Sequence, residues 1–228
     1  MDTNEVREQW VGRTGAYSPD YYAYYGPDDA SAALKRCFDG TVGRNAAVLE
    51  LGCSVGRHLS HLHAHGYGDL SGVDIDPGAI DAVGERYPDL AADGTFYVDA
   101  IQDVVREFDD GQFDAVYSVE TLQHLPPDDA WVFDELPRIT DDLLVTVENE
   151  RGVGTGDEDS TEGEGTDDAR SAAARTDVTY VDDGIPLFFR DWRAVFTSRG
   201  MVETDARSLG RDTFRAFRTA GSGSTRDE

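Results

Sequence analysis

Residues 47–80 read AVLELGCSVGRHLSHLHAHGYGDLSGVDIDPGAI, and this stretch decides the fold. Val48 and Leu49 open a short apolar run that stops at Gly52, the pattern of a buried parallel strand. Gly52 and Gly56 bracket Cys53, Ser54 and Val55, and the pattern then turns helical. Val55, Leu59 and Leu62 recur at spacings of four and three, one face of a helix. Gly66 and Gly68 supply a stop, and LSGVDID is the next strand. Asp74 closes the unit, 22 positions after Gly52. Two glycines alone would say little. Strand, glycine turn, helix, strand and acid in this order predict a βαβ unit of a parallel sheet.

The same rhythm continues downstream. PGAIDAVGERY places Ile80, Val83 and Tyr87 on one helical face, and TFYVD is a third strand ending at Asp99. IQDVVREF is a short helix, FDAVYSVE a fourth strand, and DDAWVFDELPRI a helix disturbed by Pro137. LLVTVENE makes a fifth strand. Near the C-terminus, MVETDARSLGRDTFRAFRT contains two strands around Gly210, a closing hairpin. Strands separated by helices argue for a parallel sheet covered on both faces. Before it, residues 1–45 read as an N-terminal helical cap, with Val6 and Trp10 on one face and Ser18 capping at Pro19. A further helix runs from about Asp28 to Phe38. Tyr17, Tyr21, Tyr22, Tyr24 and Tyr25 crowd one segment, as sheet-edge packing or as a cover over a ligand cleft.

Residues 46–220 read as one domain, with an acidic insertion at about 152–183 and a flexible tail over 221–228. Asp157 to Asp168 carries seven acids and no base, a composition that resists packing. IPLFFRDWRAVFTSRG restores order, with Phe189, Trp192 and Phe196 as a helical stripe stopped by Gly200.

The formal net charge of the 228 residues is −26, which argues against nucleic acid as a partner. Lys35 is the sole lysine among 20 basic residues. So acidic a chain repels itself at low salt, and the composition predicts a protein adapted to a high-salt cytoplasm. Cys37 and Cys53 form no CxxC pair and no disulfide framework. The polar start MDTNEVREQW does not fit a secretory signal, and no run nears the roughly 18–20 apolar residues of a membrane span. The expected setting is soluble and cytoplasmic.

The glycine turn fails two phosphate-binding fingerprints. G-x-G-x-x-G counted from Gly52 meets Ser54 and Arg57, and no lysine stands where a P-loop needs one. The residues do match E/D-x-G-x-G-x-G, as Glu50-Leu51-Gly52-Cys53-Ser54-Val55-Gly56, with Ser54 in the place of the middle glycine. That resembles motif I of the class I S-adenosylmethionine-dependent methyltransferases. The resemblance extends through GVDIDP, VDA at 98–100 and FDAVYSVETLQHLP at 113–126, in the expected order.

The resemblance implies an α/β fold, a Rossmann-like three-layer sandwich whose seven-stranded, mostly parallel sheet has a reversed last strand. It implies S-adenosylmethionine as cofactor and transfer of its methyl group to an acceptor, here expected to be a small molecule. Glu50, Gly52, Cys53, Ser54 and Gly56 would form the turn facing the amino-acid part of the cofactor. Asp74 would hold the ribose hydroxyls, with Asp76 as the alternative, because a carboxylate offers two acceptor oxygens. Asp99 and the Ala100 amide would read the adenine edge, Ile75 and Ile101 would sandwich its ring, and Ser118 would line the methionine end. His124 or Glu120, just beyond the fourth strand, would take a proton where the acceptor must lose one. A non-catalytic binder of the same cofactor and an aminopropyl transferase are the competing classes. His58, His61 and His65 fall near one helical face, but no completing ligand is evident, so an exposed polar face is expected and no metal.

Overall fold

The computed structural model describes residues 2–150, 177–181 and 184–220. It opens with α1 (Thr3–Trp10), α2 (Pro19–Tyr25) and α3 (Asp29–Thr41). Local chemistry starts each of them. Asp2 and Glu5 make a reciprocal capping box on α1, Ser18 accepts from the Tyr21 amide at Pro19, and Asp28 pairs with Ser31 on α3.

The alternating part follows as β1 (Ala47–Leu51), α4 (Arg57–Ala64), β2 (Asp69–Asp74), α5 (Pro77–Arg86) and α6 (Pro88–Asp93). Next come β3 (Thr95–Val98), α7 (Ile101–Val104), β4 (Phe113–Val119), α8 (Val132–Ile139) and β5 (Thr140–Glu148). A short hairpin, β6 (Asp177–Val181) and β7 (Ile185–Phe189), precedes α9 (Trp192–Thr197) and the long pair β8 (Met201–Leu209) and β9 (Asp212–Thr219).

Among the described residues the main sheet has seven strands in the order β3-β2-β1-β4-β5-β9-β8. The first five pair in parallel, and β9 runs antiparallel to both β5 and β8. This is the expected Rossmann-like sheet with its last strand reversed.

Alternation along the strands divides the core in two. Val48, Ala115, Tyr117, Leu143, Val145 and Phe214 point into one cluster with Leu34, Phe38, Leu59 and Leu62. Leu49, Leu51, Val116, Leu144 and Phe217 point into the other, with Leu136, Trp192 and Phe196. A buried central strand must be apolar on both sides, which is why β1 and β4 read as near-continuous apolar runs.

Three details depart from the sequence reading. The hairpin of β6 and β7 was not anticipated, and β6 lies within the span expected as acidic insertion; residues 152–168 fall outside the described residues. Phe189 ends β7 and does not belong to the stripe on α9, where Trp192 and Phe196 stack with centroids 6.2 Å apart. His58 is buried rather than exposed, its Nδ1 2.7 Å from the Ser31 hydroxyl, because α3 packs over that turn of α4.

Candidate functional site

The carboxyl ends of β1, β2, β3 and β4 converge on a cleft of about 150 Å³. Its floor is the turn after β1. Gly52 has φ +71° and Gly56 φ +72°, values that an L side chain adopts only with strain. The Gly52 and Cys53 amides donate to the Val73 carbonyl at 2.8 and 2.9 Å, tying the turn to β2. A Cβ on Gly52 would lie 2.2 Å from the Thr121 Oγ1, so the close approach is to the protein's own β4 loop. Ser54, in the place of the middle glycine, has φ +47°. It therefore adopts a glycine conformation at some cost.

Asp74 ends β2 with both oxygens directed by backbone. Oδ2 accepts the Ser54 amide at 2.8 Å, and Oδ1 accepts the Asp76 amide at 2.9 Å. Burial pushes its pKa up to about 6 against these stabilising bonds. Each oxygen retains acceptor capacity toward the cleft. Asp76 is already engaged, its carboxylate capping α5 at the Gly78 amide.

Asp99 follows β3 and accepts the Ala100 amide at 2.8 Å; with Ile75 and Ile101 it lines the same end of the cleft.

Not every motif residue reaches the cleft. Gly52, Cys53, Ser54, Asp74, Ile75, Asp99, Ala100, Ile101, Glu120 and His124 line it, whereas Glu50, Gly56 and Ser118 do not. Glu50 is buried under the sheet, where Tyr117 donates to its Oε2 at 3.0 Å and burial raises its pKa well above the usual carboxylate range. Gly56 packs against Val83 of α5. Ser118 donates to the Glu148 Oε1 at 2.7 Å, facing the protein interior.

His124 sits in a short 3-10 turn, Leu122–His124, with its Nδ1 2.9 Å from the Pro186 carbonyl. The carbonyl fixes the proton on Nδ1, and burial lowers the pKa to about 4. Such an imidazole is neutral and a weak base. Arg190 reinforces the same joint, its guanidinium donating to the Leu122 and Leu125 carbonyls.

The opposite wall comes from the N-terminal helices, the segment that the sequence reads as a helical cap. Val6, Arg7, Trp10, Arg13, Tyr17 and Tyr22 line the cleft. Trp10 meets the His124 ring edge-on at 4.9 Å, and the Arg13 guanidinium lies over the Trp10 and Tyr17 rings. Of the crowded tyrosines, Tyr17 and Tyr22 face the cleft, while Tyr21, Tyr24 and Tyr25 are exposed. Their shared segment was a signal, but the sequence could not separate its two faces.

Residues 48–142, from β1 into β5, match the family model of a methyltransferase domain. No curated protein sequence matches the chain. Among solved structures, magnesium protoporphyrin IX methyltransferase from Synechocystis PCC 6803, with bound S-adenosylhomocysteine, is similar at TM-score 0.65 and 12% identity, over 96% of this chain and 100% of that one. The 1,6-didemethyltoxoflavin-N1-methyltransferase of Burkholderia thailandensis, with its substrate and S-adenosylhomocysteine bound, gives TM-score 0.60 and 14% identity over 84% and 77%. A methyltransferase from Aquifex aeolicus gives 0.55 and 12% over 89% and 98%. At such identities the likeness is one of fold. The domain match and the fold make the chain similar to class I S-adenosylmethionine-dependent methyltransferases.

Proposed function

We propose that the cleft binds S-adenosylmethionine across the β1 turn and delivers its methyl group to a small-molecule acceptor held under the N-terminal helices. The observation that carries the site assignment is Asp74. Its two oxygens are held by the Ser54 and Asp76 amides at the end of β2, which suits a ribose diol. Ile75 and Ile101 would flank the adenine, Asp99 with the Ala100 backbone would meet its edge, and the Gly52–Ser54 backbone would run beside the methionine part. When bound, the sulfonium supplies an electrophilic methyl group, so orientation accounts for much of the rate. In this reading His124 is a positioning residue that joins the β4 loop, Trp10 and the β7 strand.

The enclosure of the cleft by Val6, Trp10, Tyr17 and Tyr22 supports a small acceptor. The charge of −26 weighs against nucleic acid. Small substrates are also the business of two similar proteins, which act on a didemethyltoxoflavin and a porphyrin. Among the described residues no helix is long and apolar enough to cross a membrane. The proposed setting is a high-salt cytoplasm, supported by the acid excess. We assign residues 1–45 to the cover of the cleft and 46–220 to the methyltransferase domain. The test is formation of S-adenosylhomocysteine when radiolabelled donor and candidate acceptors are incubated with the protein in concentrated KCl. Binding of the donor without turnover on any acceptor would leave a non-catalytic binder.

A further inference from the structure

The cleft is narrower than an ordinary ligand site, and α1 is what narrows it. At about 150 Å³ it falls below the roughly 300–1,000 Å³ of small-molecule pockets. Val6, Arg7 and Trp10 of α1 all line it. Arg7 Nη1 donates to Asp103 Oδ2 at 2.9 Å on α7, two residues past Ile101. Trp10, at the other end of the helix, meets the His124 ring at 4.9 Å. At its first turn the Thr3 hydroxyl donates to Asp129 Oδ2 at 2.9 Å, and the Gln102 amide donates to the same oxygen at 2.8 Å.

The helix is held lightly. Val6 is the one buried residue of α1. Arg7 Nε and Gln9 Oε1 are buried without a hydrogen-bond partner. A buried polar atom left unpaired costs more than an ion pair with an exposed member returns, and Asp103 is such a member. Undocking would give both atoms water. After α1 the chain passes Gly12 at φ +67° and Gly15 at φ +80°, and a Cβ on either would meet nothing within 4 Å. These two positions can change backbone conformation without displacing a neighbour.

We propose that α1 is a gate that swings out about Gly12–Gly15 to admit ligand, with the Thr3–Asp129 hydrogen bond as its latch. The proposal rests on the cleft being the S-adenosylmethionine site and adds how that site is entered. Asp129 suits the fixed half of the latch: it is buried, held by Gln102, and ends a 3-10 turn, Pro127–Asp129. Thr3, on the first turn of α1, is the half that lets go. Opening also parts Arg7 from Asp103 and Trp10 from His124, which uncovers both ends of the cleft together. An eight-residue helix is not stable alone in water, so an undocked α1 loses its amide protection as one unit.

Hydrogen exchange of the full chain in concentrated KCl reads the opening without any ligand. The amides from Val6 to Val11 should share one protection factor, at least about 100-fold below those of β1 and β4, and S-adenosylhomocysteine should raise them together. Thr3→Val removes a hydrogen bond to a charged group and should lower that shared protection about tenfold. Stopped-flow binding of S-adenosylhomocysteine should show on-rate and off-rate both rising about tenfold in Thr3→Val, with Kd changed less than about threefold, because the latch is remade in the complex. Protection of α1 equal to that of β1, amides that exchange independently, or exchange unmoved by Thr3→Val would overturn the proposal. So would an on-rate that stays constant in Thr3→Val while the off-rate rises, the mark of a lost contact and not of a gate. A folded wild type that takes up no S-adenosylhomocysteine would instead strike the methyltransferase reading, and exchange alone then decides the gate.

Discussion

The Ser118 hydroxyl donates to the Glu148 carboxylate at 2.7 Å, and this bond anchors the loop that forms one wall of the cleft. The same carboxylate accepts the Thr121 and Leu122 amides on Oε1 and the Gln123 amide on Oε2, at 3.1–3.2 Å. Four donors converge on one buried acid.

Replacing Glu148 by alanine strands those donors. Each buried donor left unpaired costs about 1–3 kcal/mol before relaxation, so a loss of roughly 3–5 kcal/mol is expected. Urea unfolding in concentrated KCl measures it. Burial raises the Glu148 pKa to about 7, so the native state binds a proton the unfolded chain has lost. Its contribution to stability is full below the unfolded value and declines as pH rises toward 7. Glu148→Gln should flatten that part of the stability profile.

Asp74 predicts the pH dependence of cofactor affinity. In the proposed site the ribose hydroxyls would donate to the ionised carboxylate, and in the free protein that form dominates only above about 6. Affinity for S-adenosylhomocysteine should be level above neutrality and fall up to tenfold per pH unit well below 6. Asp74→Asn should weaken binding and remove the slope. Calorimetry across this range reads both.

Ser54 occupies a left-handed conformation at φ +47°. Ser54→Gly should raise stability by up to about 1 kcal/mol, the steric cost being partly offset by glycine's freedom in the unfolded chain. A higher urea midpoint at unchanged slope would show it.

Gly52 and Thr121 form a steric lock. Gly52→Ala puts a methyl 2.2 Å from the Thr121 Oγ1 at φ +71°, and should cost about 2–4 kcal/mol. Adding Thr121→Ala should return the contact part of that loss but not the backbone part. A double-mutant cycle on unfolding free energies separates them.

The acid excess makes its own prediction. Self-repulsion at net charge −26 is screened as the Debye length shrinks, so the melting temperature should climb steeply with KCl. A flat dependence would remove the high-salt setting.

Much of this was legible because it is local. The β1 turn, the α4 face and the acid at the end of β2 are written in neighbouring residues, and so is the closing pair around Gly210. What was not legible depends on which face of a strand turns toward the cleft. Glu50 and Ser118 sit in the motif, yet Tyr117 and Glu148 draw them into the interior. The hairpin of β6 and β7 escaped because half of it follows directly on a polar, acidic stretch.

The most direct test of the central claim is titration calorimetry of the full chain with S-adenosylmethionine and S-adenosylhomocysteine in concentrated KCl. One site per chain for both ligands, weakened at least about tenfold in Asp74→Asn, is the predicted result. A folded protein that takes up neither ligand would contradict it.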